Sequence, residues 1–194
     1  MKFTLKIQKA IKFSIKTHDV YQKQKRKGKD ISYITHPLTV GIIIARVEAD
    51  EDLVAAGVLH DTIEDSVPEK KVTREMLEER FGKKVADIVV SVSEMNKDLP
   101  WEERKREALE HIKRFNQDSL LVKSADVISN VSEIIDDHAR YGDEIFYRFN
   151  APKEKKIEHT LETISVILSK WEENPLSDDL NFLASKLRQI DRRE

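Results

Sequence analysis

The chain has 194 residues, 39% of them hydrophobic, which is enough to bury one sizeable core. Its 34 basic and 36 acidic residues give a net charge of -2, which argues against a dedicated nucleic-acid binder but leaves room for a local basic patch that serves a small polyanion. The absence of cysteine excludes disulfides, thiolate nucleophiles and cysteine zinc sites, and it favours a reducing, cytoplasmic compartment. We also expect no membrane association, because no apolar run is long enough to span a bilayer and the N-terminus lacks the pattern of a signal peptide.

Sparse glycine and proline predict a helical chain. Only five residues of each type occur, and the stretches between them are rich in Glu, Lys, Leu, Ile and Ala with helical spacing of the apolar positions. We predict helices, in chain order, over about residues 4–24, from 36–37 onward, 50–59, 73–82, 85–92, 101–115, 118–138, 157–175 and 180–190. The polar segment EMNKDLPW, residues 94–101, is predicted to be a loop. No repeat or linker divides the chain, so the sequence predicts one all-α domain over residues 1–194.

The run AAGVLHDTIED, residues 55–65, concentrates potential metal ligands. In a continuous helix, His60 lies one turn from Glu64, and Asp61 lies one turn from Asp65. The residues before His60 are apolar, so the histidine and the aspartate emerge where the core ends. Mixed imidazole and carboxylate donors suit a hard or borderline divalent cation. Taken alone, the pair is also consistent with a solvated polar cluster at a helix end.

Two further segments favour the metal interpretation. His36 stands at a helix start in SYITHPL, and Asp126 lies on an otherwise apolar helix face in LLVKSADVISN. An aspartate flanked by Val122 and Ala125 is costly to bury unless it is paired or binds an ion. The alternatives are a helix-turn role for His36 and a salt-bridged core carboxylate for Asp126.

Together these residues match, in order and context, the H…HD…D signature, and the sequence resembles the HD-domain phosphohydrolases. Four blocks narrow the resemblance to the hydrolase domain of RelA/SpoT proteins and to the stand-alone small alarmone hydrolases. These blocks are RKGKDISYITHPLTV, GVLHDTIEDS, ERFGKKVADIV and LVKSADVISNV. The resemblance runs from about His18 to Asn150.

This resemblance implies a helical bundle around one Mn²⁺ and an enzyme that removes the 3′-pyrophosphate from guanosine tetra- and pentaphosphate. The residues that it assigns by position are the metal ligands His36, His60, Asp61 and Asp126, the water-preparing pair Glu64 and Asp65, and the nucleotide contacts Arg26, Lys27 and Asn130.

The chemistry of the residues is consistent with these assignments. A bound divalent ion lowers the pKa of its water, and a nearby carboxylate can orient that water or take its proton. We expect Glu64 to act in this way and Asp65 to assist; the bland alternative is that the pair braces the metal histidines or is merely solvated. In the basic loop, the planar guanidinium of Arg26 and the ammonium of Lys27 suit a substrate with several phosphates, although most basic runs are solvated surface.

The segment around Asp126 departs from the usual family pattern. Val127 and Ser129 replace a basic and an aromatic residue, and Ser132 and Glu133 follow where relatives often contact the nucleotide. Because Glu133 would repel a phosphate, the sequence leaves two alternatives open. One is a phosphohydrolase for another nucleotide, such as a nucleoside monophosphate or a phosphorylated dinucleotide cofactor. The other is a binding module that kept the fold and lost turnover. The oligomeric state is left open.

Overall fold

The computed structural model describes residues 4–47, 50–94 and 99–192. In these ranges the regular structure is helical, and the sole β-type pairing is an isolated antiparallel bridge between Lys25 and Ser32. The α-helices are α1 Leu5–Ile15, α2 Thr35–Val47, α3 Glu51–Leu59, α4 Thr62–Asp65, α5 Arg74–Phe81, α6 Lys83–Val92, α7 Trp101–Ile112, α8 Gln117–Tyr141, α9 Lys153–Lys170 and α10 Ser177–Asp191. The all-α prediction is therefore confirmed.

Local sequence explains where several helices begin and end. The side chain of Asp50 accepts a hydrogen bond from the backbone N–H of Asp52, as the predicted N-cap requires. Thr73 caps α5 in the same way, by accepting from Met76. Gly82, with φ of 95°, ends α5 in a backbone conformation that residues with a side chain seldom adopt.

The predicted boundaries differ from the observed ones in several places. The helix predicted over residues 4–24 is α-helical only to Ile15 and continues as a π-helical turn over Lys16–Tyr21. The predicted ends near residues 115 and 175 fall earlier, at Ile112 and Lys170. Of the predicted loop 94–101, residues 95–98 lie outside the described residues.

The predicted helix over residues 50–59 is confirmed, since α3 ends at Leu59. The helical spacing considered for residues 60–65 is interrupted, because α4 begins only at Thr62. The imidazole Nδ1 of His60 donates a hydrogen bond to the carbonyl of Gly57 at 2.8 Å, and the hydroxyl of Thr62 donates one to the carbonyl of Leu59 at 2.7 Å. Side-chain bonds of this kind compete with the backbone ladder of a helix. Asp61 sits in the break with φ -94° and ψ -2°, a sparsely populated region that is common at active sites.

Two glycines bring α2 and α3 into close contact. A β-carbon at Gly41 would lie 2.5 Å from Cγ2 of Val58, and one at Gly57 would lie 2.5 Å from Cδ1 of Ile44. A larger residue at either position would require the facing side chain or the helix to shift. The close approach places the start of α2, which carries His36, beside the α3–α4 turn.

Helix α8 completes this arrangement, since it packs against both α2 and α3. The buried side chains form one apolar cluster that runs from Ile7 in α1 to Ile190 in α10. A continuous cluster of this kind supports a single domain over residues 1–194, which stays a prediction. Among the described residues, no helix combines the length and the apolar character needed to cross a membrane.

Candidate metal centre and phosphate cavity

Three predicted ligands from separate segments converge at one point. His36 of α2, His60 of the α3–α4 turn and Asp126 of α8 each offer one ligand atom, and these atoms lie within 4.8 Å of one another. Both histidines are buried. Nε2 of His36 lies 3.3 Å from a carboxylate oxygen of Asp126.

Asp61 approaches the same point from the turn. Its Oδ2 lies 3.0 Å from Nε2 of His60 and 3.6 Å from Nε2 of His36. The hydroxyl of Tyr33 donates a hydrogen bond to this oxygen and so fixes the carboxylate. Burial, together with the charge of Asp61, raises the pKa of Tyr33 well above its usual value, which keeps the phenol protonated as a donor.

The two imidazoles are oriented by bonds at their other nitrogens. Nδ1 of His60 donates to the carbonyl of Gly57, and Nδ1 of His36 lies 2.9 Å from the hydroxyl of Ser129. These bonds leave both Nε2 atoms directed at the shared point, the arrangement that metal-binding histidines use. Nε2 of His60 is buried and makes no well-aligned hydrogen bond in the described part of the chain; its polar neighbour is Oδ2 of Asp61 at 3.0 Å, another proposed ligand, as expected of an atom that binds an ion.

The electrostatics of the cluster suit a cation. Burial opposes charging of His60, yet the carboxylates of Asp61 and Asp126 raise its pKa to about 9. Burial likewise opposes ionisation of Asp126, but Lys123 and the histidines hold the pKa of this carboxyl well below its usual value. Two neutral imidazoles and two carboxylates would provide the mixed nitrogen and oxygen donors of a divalent ion. The residues present therefore fit a metal.

The two acidic residues of α4 lie in different surroundings. Glu64 lines the cavity described below, and its Oε2 accepts a hydrogen bond from the backbone N–H of Glu94 at 3.0 Å. Asp65 is not among the residues that line this cavity, and its Oδ2 accepts from Nε2 of Gln24 at 2.9 Å. Glu64 is therefore the carboxylate closer to the space where a substrate would sit.

The cluster opens into a cavity of about 890 Å³, which is large enough for a nucleotide. Besides the metal cluster, its lining contains basic side chains from three helices. These side chains include Arg104 and Lys105 of α7, Lys123 of α8 and Lys156 of α9. Burial, followed by the nearby charge of Lys105, lowers the pKa of Lys156 to about 8.

The predicted nucleotide contacts occupy different positions around this cavity. Asn130 lines it and donates to Asp126 at 2.6 Å. Arg26 contacts the rim, because its guanidinium donates to Asn130 at 2.9 Å. Lys27 lies further out, with Nζ 3.2 Å from Oδ1 of Asn150. Neither Arg26 nor Lys27 is part of the cavity lining as the structure describes it.

Several residues that shape the site were not found from the sequence. Lys123 had a local signal, because it precedes Asp126 by three residues on α8 and its Nζ lies 2.8 Å from that carboxylate. Lys156 had no such local signal in the sequence, since only the packing of α9 in the folded protein brings it to the cavity. His18 is fully buried in the π-helical turn, and its Nδ1 lies 2.9 Å from Oε1 of Gln24, whose amide holds Asp65.

Comparison with known proteins identifies the protein family. The HD domain family model matches residues 10–153, and the chain belongs to this family, which confirms the resemblance. Fold, site and relatives together define a metal-dependent phosphohydrolase.

Several relatives are hydrolases by name. Guanosine-3′,5′-bis(diphosphate) 3′-pyrophosphohydrolase MESH1 of Xenopus tropicalis is 35% identical over 130 residues, which cover 66% of this chain and 69% of the frog protein. The MESH1 protein of Danio rerio is 35% identical over 59% of this chain and 62% of its own length. The bifunctional (p)ppGpp synthase/hydrolase SpoT of Escherichia coli K12 is 34% identical over 50% of this chain, and the match spans only 13% of that longer enzyme.

Solved structures agree on the fold. A metazoan ortholog of SpoT, described as hydrolysing ppGpp, superposes with a TM-score of 0.74 at 21% identity and covers 99% of this chain and 97% of its own. A protein from Listeria monocytogenes EGD-e superposes with a TM-score of 0.71 at 26% identity and covers 81% of this chain and 99% of its own.

Proposed function

We propose that this protein is a Mn²⁺-dependent guanosine 3′,5′-bis(diphosphate) 3′-pyrophosphohydrolase. The observation that carries the proposal is the position of the His36, His60 and Asp126 cluster in a cavity whose wall also carries several lysines and arginines. A divalent ion and a set of cations around one nucleotide-sized space suit a substrate with two pyrophosphates. The names of the MESH1 and SpoT relatives support the same substrate. The cytoplasmic location expected from the sequence belongs to this proposal.

In this proposal, His36, His60, Asp61 and Asp126 hold the ion. Imidazole and carboxylate donors are compatible with Mn²⁺ as well as with other first-row divalent ions, so the choice of Mn²⁺ rests on the resemblance. The ion supplies Lewis-acid activation of water and of the phosphoryl group that is cleaved. Ser129 and the carbonyl of Gly57 orient the two histidines.

Glu64 is the proposed proton acceptor. Hydrolysis breaks the bond between the ribose 3′ oxygen and phosphorus. The attacking water loses a proton as its oxygen bonds to phosphorus, and the ribose oxygen takes up a proton as it leaves as the 3′ hydroxyl. Glu64 lines the cavity and is held by the N–H of Glu94, so its carboxylate is oriented before substrate arrives. Asp65 assists from outside the cavity lining, where it is hydrogen-bonded to Gln24.

The basic side chains of the cavity are the proposed partners of the phosphates. Lys123 and Lys156 lie on neighbouring helices that both line the cavity. The pKa of Lys156 is lowered to about 8 by burial and then by Lys105, so a bound phosphate would relieve both its poor solvation and its repulsion from that neighbour. Asn130 contacts the nucleotide, while Arg26 and Lys27 bind or orient it at the rim.

Chelator-treated protein, reloaded with Mn²⁺, tests the proposal against guanosine tetraphosphate. We expect release of pyrophosphate, and not of orthophosphate, in a reaction that is lost in Asp126→Ala. Asp136→Ala is the matched control, because Asp136 is an exposed carboxylate on the same helix. Absence of pyrophosphate release by metal-loaded parent protein would remove the alarmone assignment.

A second substrate class is favoured by one contact. Glu133 forms an ion pair with Arg26, which lowers the positive charge available at the rim. A nucleotide with fewer phosphates, or a phosphorylated dinucleotide cofactor, needs less of that charge. The same assay with a nucleotide panel distinguishes the two classes, since each predicts a different preferred substrate on the same metal-loaded protein.

A further inference from the structure

A second cavity, of about 300 Å³, lies between the π-helical turn and α5. This volume is at the lower end of the range for small-molecule sites. Four cationic side chains line it, together with one carboxylate, that of Glu69. The cations are Lys16, Lys70, Lys71 and Arg80.

The positive charge of this cavity is not neutralised within the described part of the chain. None of the four cations lies within 4.0 Å of a described carboxylate oxygen. Two of them instead approach the ring of Tyr21, with Nζ of Lys16 at 5.5 Å and Nζ of Lys70 at 5.9 Å from its centroid. The guanidinium of Arg80 lies 5.3 Å from the centroid of Phe13 in the same way. In a chain of net charge -2, four exposed cations around one cavity form a local excess of positive charge, which attracts anions.

The cavity is connected to the catalytic region by two contacts. Nζ of Lys71 donates to the carbonyl of Ile63 in α4 at 2.8 Å. The π-helical turn that carries Lys16 also carries His18, whose bond to Gln24 leads to Asp65 at the end of α4. An anion that draws Lys71 towards itself would therefore change the contacts of α4.

We propose that this cavity binds a compact phosphate-bearing anion of the pyrophosphate class, and that binding is transmitted to α4 through Lys71. Three of the four cations lie over the two aromatic rings, so the rings position charge and are not open for stacking by a base. The ligand is therefore small and multiply charged. This site is distinct from the metal centre and does not depend on the substrate proposed above.

The test uses chelator-treated full-length protein, labelled with ¹⁵N and titrated with inorganic pyrophosphate at constant ionic strength. We expect saturable amide shifts over 16–21 and 70–72, with a Kd below about 1 mM. The amides of Ile63 and Glu64 should shift with the same Kd. Residues near Lys156 report binding in the catalytic cavity and are fitted separately.

A charge-matched pair of double variants tests whether pyrophosphate binding depends on the lysines of this cavity or only on the overall charge of the protein. Lys16→Ala with Lys70→Ala should weaken binding at least tenfold, which corresponds to about 1.4 kcal/mol. Lys9→Ala with Lys170→Ala removes the same charge from exposed positions elsewhere and should leave the Kd unchanged. Equal weakening in both double variants, or no saturable shift near Lys16, would overturn the site. Shifts that stop short of Ile63 would overturn the coupling to α4. Circular dichroism melting of all variants verifies folding.

Discussion

Nε of Arg26 lies 2.7 Å from a carboxylate oxygen of Glu133, which joins the basic loop before α2 to the middle of α8. Lys29 approaches the second oxygen of the same carboxylate at 2.6 Å. Glu133 therefore acts on a substrate through the cations that it neutralises as well as through its own charge. The ion pair also positions Arg26 so that its other nitrogen can hold Asn130.

Glu133→Gln should lower the KM for guanosine tetraphosphate by about threefold or more, because it frees Arg26 to attract a phosphate. We expect a smaller change in kcat, since Glu133 reaches the metal centre only indirectly, through Arg26 and Asn130. Steady-state kinetics at two salt concentrations measure the effect, which should shrink as salt screens the charge. Asp136→Asn, an exposed carboxylate on the same helix, serves as the control. A raised KM in Glu133→Gln would show that the ion pair is needed to build the rim.

Ser129→Ala should weaken divalent metal binding about ten- to a hundredfold, the range for lost partners of metal-binding histidines. The hydroxyl of Ser129 lies 2.9 Å from Nδ1 of His36 and is the contact that fixes this ring. Isothermal titration with Mn²⁺ measures the change. Ser132→Ala is the matched control, because Ser132 is exposed one turn further along α8. Equal affinities in the two variants would mean that His36 is oriented by packing alone.

Glu64→Gln should reduce turnover about a hundredfold or more and leave metal content unchanged, as expected when a general base is lost. The amide oxygen of glutamine can still accept from the N–H of Glu94, so the position of the side chain is preserved. Asp65→Asn should have a smaller effect, because Asp65 does not line the cavity. Turnover with each variant, normalised to bound metal, gives the comparison. If Asp65→Asn were the more damaged enzyme, the roles of the two carboxylates would have to be exchanged.

Much of the fold could be predicted because helical periodicity is a local property of the sequence. Apolar spacing predicted most of the helices, and the Asp50 cap is formed as expected. The helix end at residue 59 was predicted, but the separate start of α4 at Thr62 could not be predicted from apolar spacing. It depends on side-chain bonds from His60 and Thr62 that compete with the helix.

In the candidate site too, local sequence motifs could be recognised, whereas contacts between distant segments could not. Residues inside recognisable motifs, such as His36 and Asp126, could be proposed from the sequence together with their roles. Contacts between distant segments could not, and the pairing of Arg26 with Glu133 spans 107 positions. The contribution of Lys156 likewise depends on how α9 packs beside α8, which no local pattern reports.

Metal binding should release about one proton near neutral pH, because the ion must displace it from His60. Burial lowers the pKa of His60, but Asp61 and Asp126 outweigh this effect and raise it to about 9. Without metal, His60 is therefore protonated at pH 7.5, and Mn²⁺ affinity should rise with pH up to about 9. Titration calorimetry in two buffers of different ionisation enthalpy counts the protons. Affinity that stays constant from pH 6.5 to 8.5 would contradict the assignment of His60 as a ligand.

The KM for guanosine tetraphosphate should rise as the pH increases from 7 to 9, by up to about tenfold, while kcat changes less. Burial, with the nearby charge of Lys105, lowers the pKa of Lys156 to about 8, so this side chain is charged below that pH and loses its attraction for phosphate above it. The substrate does not cause the change, because phosphate groups complete their ionisation near pH 6. Lys156→Arg keeps its charge throughout this range and should give a KM that varies little with pH. Lys156→Met should give a high KM at every pH, again with a flat profile. A parent-like rise of KM with pH in the methionine variant would assign the titration to another group and remove Lys156 from the phosphate site.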